Sequence, residues 1–267
     1  MEEIKSYVLR KKELIKAQVQ QLGNNLKLVI VQVNDDPASN SYIKGKLRDC
    51  AEVGINAELI KLPIDTTQDE LLDKIALLNN DKTVTGFIVQ MPLPKGIDEE
   101  LIKKSITPSK DVDGFNFSSE YTPATPKGIL TYLEDQNYDF DGKNALVIGR
   151  SNIVGKPIAK LLLDKNMNVT IVHSHTNHYD LANYIAHSDL IIVAIGKPQF
   201  INKTFNYKKN CVVFDVGISR VNGKLEGDCE PGLDVEFQSP VPGGVGLLTR
   251  LSLMINLLEV YEKCNLK

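Results

Sequence analysis

What this 267-residue chain lacks narrows the field first. Cysteine is scarce: Cys50, Cys211, Cys229 and Cys264 are scattered, no two form a C-x-x-C pair, and that spacing builds neither a zinc cluster nor a disulfide framework. A reducing cytoplasm suits such thiols. Charge of one sign is not in excess either. With 31 Lys and Arg against 34 Asp and Glu, the formal net charge of −3 leaves no electrostatic footprint for nucleic acid or an anionic membrane. Any anionic ligand must then be held by a local site. Long apolar runs are also missing. The opening MEEIKSYVLRKKELIKAQVQQL alternates charges without an apolar centre, and no later segment approaches membrane-spanning length. Nothing marks export or anchoring, and there is no internal repeat or low-complexity segment.

What is present is an ordinary globular composition, 42% apolar and 24% charged, in a chain long enough for two domains. Ile4, Val8, Leu14, Ile15, Val19 and Leu22 recur at helical spacing and predict an amphipathic opening helix stopped by Gly23-Asn24-Asn25. A β-branched run, Leu28 to Val33, follows. Asn34-Asp35-Asp36-Pro37 then turns the chain and caps a helix to about Val53. A strand near Ala57 to Lys61, a helix near Gln68 to Asn79 and the strand Gly86 to Gln90 continue the alternation until Met91-Pro92-Leu93-Pro94 ends it. Between Thr107 and Pro126 periodicity dissolves into a Pro-, Gly-, Ser- and Asp-rich stretch, which marks a boundary. Beyond it come a helix (Lys127 to Gln136), the strand Ala145 to Ile148, the turn GRSNIVG and a helix from Lys156 to Lys165. Strands follow at Val169 to Val172, Leu190 to Ala194 and Val212 to Asp215. A last helix carries Leu247, Leu251, Met254, Ile255 and Leu258 on one face. The pattern predicts an α/β protein of two domains with parallel sheets covered on both faces, the last helix packing back on the first domain. The expected division is residues 1–120 plus 247–267, and residues 121–246.

The segment VIGRSNIVGKP leaves a strand and opens a helix, the context in which backbone N–H groups at a helix start face a pyrophosphate. Gly149 opens the turn, Ser151 stands where the second glycine of a dinucleotide fingerprint would be, and Gly155 closes the turn. The competing reading is an ordinary strand-to-helix turn. The next strand ends in His173-Ser174-His175-Thr176, with no Asp or Glu to take the ribose 2′-hydroxyl. Arg150 and Ser174 are available as donors there, so NADP is favoured over NAD. His173, His175 and His178 do not read as a metal site, having no carboxylate or Cys close by; strand end and loop is the preferred reading, and no metal is expected.

In the helix after Pro37, Tyr42 and Lys46 stand four apart and share a face. A lysine whose pKa is lowered by burial can shuttle protons at neutral pH, with the phenol orienting or donating to a substrate. Taken alone, the pair reads as readily as incidental surface residues. The Tyr-x-x-x-Lys spacing of short-chain dehydrogenases is excluded by order, because there the glycine turn comes first. Gln90, the stretch Lys110 to Phe115 and the Pro-Gly segment before the last helix also sit at element ends where βα enzymes place their sites.

In order, SYIKGK, VQMPLP, PSKDVDGF, TPATPKGI, VIGRSNIVGKP and PVPGGVG closely resemble the bifunctional methylenetetrahydrofolate dehydrogenase/methenyltetrahydrofolate cyclohydrolases, over nearly the whole chain. The resemblance implies a folate-binding catalytic domain and a Rossmann-like NADP-binding domain. It implies oxidation of 5,10-methylenetetrahydrofolate with NADP+, then hydrolysis of the methenyl product to 10-formyltetrahydrofolate. Lys46 would be the central catalytic group, assisted by Gln90. Tyr42 would pack on the folate and Asp113 would hold the pterin. Pro242, Gly243 and Gly244 would line the substrate cleft, while Gly149, Arg150, Ser151, Gly155, Ser174 and Ile218 would contact the cofactor. A cytoplasmic homodimer assembled through the second domain is implied as well.

The chain departs from the family pattern in places. Phe115 to Pro123 is short, so the loop bordering the folate site is expected to be rebuilt; Asp228 to Pro240 is also abbreviated. Ala124 replaces a common Cys, Leu247 a common Pro, and His175 a more usual basic residue, which weakens the case for 2′-phosphate binding. Two alternatives follow: a member retaining one activity, or a non-catalytic NADP-binding scaffold. Retention of Tyr42, Lys46, Gln90 and Asp113 together speaks against the scaffold.

Overall fold

The computed structural model describes residues 1–116 and 118–265. Phe117, inside the shortened segment, Leu266 and Lys267 at the end of the last expected segment, and the side chain of Cys264 lie outside the described residues. The chain divides into two compact units: a first unit of Leu9–Ala124 with Arg250–Lys267, and a second of Met1–Val8 with Thr125–Thr249.

The opening helix α1 (Ile4–Gln21) leads to β1 (Lys27–Gln32), α2 (Pro37–Val53), β2 (Asn56–Lys61), α3 (Gln68–Asn80) and β3 (Gly86–Val89). Each boundary has a local cause. Asp36 accepts from the backbone of Ser39 at 2.7 Å and Pro37 fills the first helical position, so α2 begins where a cap and a fixed φ coincide. It ends at Gly54, whose φ of +83° is the left-handed value that glycine adopts without a steric penalty. A capping box between Thr67 and Glu70 starts α3. β1 lies between β2 and β3, all parallel, with Leu28 opposite both Ala57 and Gly86. The central strand and β3 are buried, whereas β2, at the edge, is largely exposed. Val29, Val31, Phe87 and Val89 pack with Leu71, Ile75 and Leu78 of α3 and with Ile102 of a short helix, α4 (Glu99–Ser105). Periodicity does not reveal α4, which is too short for a repeat and stands on its cap, Asp98.

In the second unit, α5 (Ala124–Asp135) precedes β4 (Asn144–Ile148), α6 (Gly155–Asp164), β5 (Asn168–Val172), α7 (His178–His187), β6 (Leu190–Val193) and β7 (Val212–Asp215). Then come β8 (Ile218–Val221), β9 (Lys224–Gly227), β10 (Phe237–Gln238) and α8 (Val245–Asn265). Five parallel strands run in the order β10-β7-β6-β4-β5, while β8 and β9 form a separate antiparallel hairpin that the parallel pattern did not anticipate. Because β4 has its successor β5 on one side and β6 on the other, the order reverses there. Open α/β sheets bind ligands at such a switch point, outside the carboxyl ends of the strands. The first residues of the chain are fastened within this unit: Tyr7 stacks edge-on against Tyr132 and donates to Asp135 at 2.6 Å. From Arg250 onward, α8 belongs to the first unit, where Asn256 donates to the carbonyl of Val112.

Candidate active site

Two clusters of functional side chains form, one in each unit. In the first, the early turns of α2 place Tyr42 and Lys46 on one face, as their spacing requires. The Lys46 amine stands 5.1 Å from the centre of the Tyr42 ring, a cation–π distance. Lys46 is 4% exposed, far below what is normal for lysine. Its Nζ donates to Oε1 of Gln90 at 3.2 Å, and Nε2 of Gln90 donates to the Met91 carbonyl at 2.9 Å. The Gln90 amide is thereby anchored at one end and accepts from the amine at the other. Gln90 follows β3, and its position comes from the pairing of β3 with β1.

Asp113 completes this group, with Oδ2 4.0 Å from Lys46 Nζ. Burial pushes the Asp113 carboxyl above its ordinary range, and the Lys46 ammonium opposes that. Burial also holds the Lys46 amine below its ordinary range; Asp113 and Cys50 act against this and Arg250 acts with it. Burial thus disfavours the charged form of both groups, and each charge favours the other. The loop presenting Asp113 is built from within. Asp111 accepts from the backbone of Gly114 at 3.0 Å and of Asn116 at 2.8 Å, and burial pushes its own pKa up to about 6. From α8, fully buried Asn256 donates to the carbonyls of Val112 at 2.8 Å and Thr122 at 3.1 Å. Asp111 and Asn256 were not singled out from the sequence. Asn256 carried a readable signal, being a lone amide among the apolar residues of the last helix.

The second cluster lies at the carboxyl edge of the five-stranded sheet. Gly149 has φ +119°, and a Cβ there would collide with the carbonyl oxygen of Ala194. A Cβ at Gly155 would collide with the carbonyl oxygen of Gly149. Both glycines are therefore required by close backbone approach, between strand ends in one case and between turn and helix in the other. Ser151 substitutes for a glycine by doing something a glycine cannot: its Oγ accepts from the backbone of Val154 at 3.1 Å and of Gly155 at 3.3 Å, closing the turn that leads into α6. Arg150 and Ser174 are exposed. Ser174 sits in the turn after β5, closed by Thr176 accepting from the His173 backbone at 3.1 Å. Gly149 is bonded to the end of that same strand through the Val172 carbonyl. No acid occupies the strand end. His173 and His175 belong to this turn and His178 opens α7; among the described residues no group of three or more His, Cys, Asp or Glu is placed to hold a metal.

The turn after β6 is held by a residue the sequence reading overlooked. Asp228 accepts from the backbones of Ile195 at 2.7 Å, Gly196 at 3.0 Å and Lys197 at 2.6 Å. Asp215, at the end of β7, accepts in turn from the backbones of Asp228 and Cys229, each at 2.9 Å. Burial pushes the Asp215 carboxyl up to about 6. Ile218, half exposed, opens β8 just beyond. Pro242 and Gly243 are exposed in the segment before α8, and Gly244 is buried where a Cβ would strike the Pro240 carbonyl. The geometry does not bring Pro242, Gly243, Gly244 or Ile218 into bonds with the turn of Gly149.

A glycine cradle at a switch point, beside a strand end without an acid, fits a phosphorylated dinucleotide. A buried lysine whose ammonium form is disfavoured, in a separate unit, fits acid–base work on a second ligand. Together they define a two-domain, dinucleotide-dependent enzyme of Rossmann-like fold.

Comparison with known proteins names the group. The catalytic-domain family model of tetrahydrofolate dehydrogenase/cyclohydrolase matches residues 2–113, and the family's NAD(P)-binding-domain model matches residues 123–265. The bifunctional protein FolD of Anaeromyxobacter dehalogenans is 44% identical over 88% of each chain. The crystal structure of the FolD methylenetetrahydrofolate dehydrogenase/cyclohydrolase from Campylobacter jejuni superposes with a TM-score of 0.92 at 36% identity, covering 98% of both chains. The Trypanosoma brucei dehydrogenase-cyclohydrolase, solved with NADP cofactor and inhibitor, gives a TM-score of 0.92 at 26% identity, covering 99% of this chain and 98% of that one. This chain belongs to the tetrahydrofolate dehydrogenase/cyclohydrolase family.

Proposed function

We propose that this protein oxidises 5,10-methylenetetrahydrofolate to 5,10-methenyltetrahydrofolate with NADP+ and hydrolyses the product to 10-formyltetrahydrofolate. The observation that carries the reading is the buried Lys46 amine on Gln90, 4.0 Å from Asp113, in a chain that also has the dinucleotide cradle of Gly149 and Gly155. Residues 1–120 with 247–267 would be the folate-binding catalytic domain, and residues 121–246 the cofactor domain.

NADP+, when bound, supplies the acceptor for a hydride from the carbon bridging N5 and N10. Gly149, Arg150, Ser151, Gly155, Ser174 and Ile218 would hold it, with Arg150 and Ser174 offering donors to the 2′-phosphate. On the folate side, Tyr42 gives a ring face for stacking, Asp113 holds the pterin, and Pro242, Gly243 and Gly244 line the substrate's place. In the hydrolysis, the neutral amine of Lys46 takes a proton from water as the oxygen bonds to the methenyl carbon. The resulting ammonium returns a proton to N5 as the carbon–N5 bond breaks, and the added hydroxyl gives its remaining proton to solvent as the C=O bond forms, leaving the formyl group on N10. Gln90 supports both states, since its oxygen accepts from the amine and from the ammonium. No described helix is long and apolar enough to cross a membrane. A cytoplasmic homodimer joined through the second unit is the assembly we propose, on family resemblance.

Incubating the purified protein with methylenetetrahydrofolate and NADP+ or NAD+, and following methenyl formation and decay separately, tests both activities. We expect methenyl formation with NADP+ and accelerated hydrolysis of added methenyltetrahydrofolate. No product with either cofactor and no acceleration would overturn the reading.

A further inference from the structure

One turn beyond Lys46, α2 carries a second buried charge. Asp49 is 2% exposed, and helices on either side hold it: Lys12 of α1 reaches Oδ1 at 2.7 Å and Arg250 Nε of α8 reaches Oδ2 at 2.5 Å. Lys12 also pairs with Glu52 at 2.6 Å, and Arg48 approaches Asp49 at 3.5 Å from the exposed side. The pairing lays the Arg250 guanidinium across Gly45, the residue before Lys46. A Cβ at position 45 would stand 2.8 Å from Nη1 and 3.1 Å from Cζ of Arg250, so the close seat depends on glycine. Buried ion pairs are weak devices for stability, because desolvation offsets most of the attraction. A pair buried at this point, against the turn that carries the reactive amine, calls for a different role.

We propose that Arg250, clamped by Asp49 and seated against Gly45, is a positioning residue for Lys46: it fixes the turn of α2 that carries the amine and keeps a permanent cation one residue away along the helix. The inference rests on Lys46 being the catalytic amine of the hydrolysis. The groups facing Lys46 are Tyr42 and Cys50 on its own helix, Gln90 after β3, Asp113 from the loop, and Arg250 from α8. Of these, Arg250 is the fixed positive charge, and a like charge disfavours the ammonium form. Arg250 and Asp113 thus pull the amine in opposite directions, and Asp49 sets where the first of them sits.

The test is the protonation midpoint of Lys46, read directly by the ¹³Cε signal of lysine-labelled protein, assigned by its absence in Lys46→Met, and kinetically by the acidic limb of the hydrolysis pH profile. Arg250→Met should raise both midpoints by about 0.5 to 1 pH unit, and Arg250→Lys should restore most of the shift. Asp49→Asn, which leaves the guanidinium unbalanced, should lower them, and it serves if Arg250→Met does not fold. Midpoints that stay at the wild-type value in folded Arg250→Met, or in Asp49→Asn, would overturn the proposal even if thermal stability falls. A shifted NMR midpoint in a protein that hydrolyses no methenyltetrahydrofolate would support the positioning role while overturning the proposed reaction.

Discussion

The Lys46 amine donates to Oε1 of Gln90 at 3.2 Å, and that bond ties a residue of α2 to the end of β3, 44 positions away in sequence. On the proposed reaction, Lys46→Met removes the amine and keeps the bulk, so hydrolysis of methenyltetrahydrofolate should fall by about 10²- to 10⁴-fold. NADP+ binding should be unchanged, because the cradle lies in the other unit. Displacement of fluorescent NADPH by NADP+, measured alongside the hydrolysis assay, checks both; lost cofactor affinity would contradict the two-site arrangement.

Gly155→Ala places a methyl group against the Gly149 carbonyl and forces turn and helix apart. NADP+ affinity should weaken by about 10- to 100-fold, the equivalent of about 1.4 to 2.8 kcal/mol. Hydrolysis of added methenyltetrahydrofolate should persist. An unchanged dissociation constant would show that phosphate does not use this approach.

Asn256→Leu keeps the apolar packing of α8 but strips the donor from the Val112 and Thr122 carbonyls. Leaving two buried acceptors unpaired costs about 2 to 4 kcal/mol, to be read from denaturant unfolding. Because Asp113 follows Val112 directly, KM for the folate should rise more than kcat falls.

The Asp215 carboxyl, raised to about 6 in the folded chain, sets a pH dependence of stability. The native state holds this proton more tightly than the unfolded state, so the contribution is complete below about pH 4 and is lost as pH rises through about 6. Subtracting the unfolding free energies of Asp215→Asn from wild type should give a difference that declines between those limits, by an amount on the order of 1 to 3 kcal/mol. A flat difference would mean that the backbone donors of Asp228 and Cys229 keep Asp215 ionised throughout.

Light scattering at micromolar concentration should report twice the mass of one chain. A monomer would remove the proposed assembly.

How much of this could be read from the sequence varies with the range of the interaction. The starts of α2 and α6, the buried β1, β3 and β4, and the shared face of Tyr42 and Lys46 follow from spacing and capping within a few residues. The local patterns miss α4 and the β8–β9 hairpin, which are too short for a repeat, and α7, which stands on its cap Asn177 and buries only Leu181 and Ile185. Ser151 illustrates the limit. As a letter it is a defect in a glycine fingerprint; in the fold its hydroxyl accepts from the Val154 and Gly155 backbones and closes the turn into α6.

The sequence by itself determined the class of fold, the place of the glycine turn between β4 and α6 and, through the ordered motifs, the family. Only the tertiary structure decided which polar residues act together. Lys46 meets Gln90 because β1–β3 pairing brings the strand end to it, and the loop under Asn256 brings Asp113. Asp228 becomes the anchor of the turn after β6, and Asp49 the seat of Arg250, because chain segments distant in sequence converge on them. Burial and charge pairing depend on neighbours in space, and a one-dimensional pattern records only neighbours along the chain.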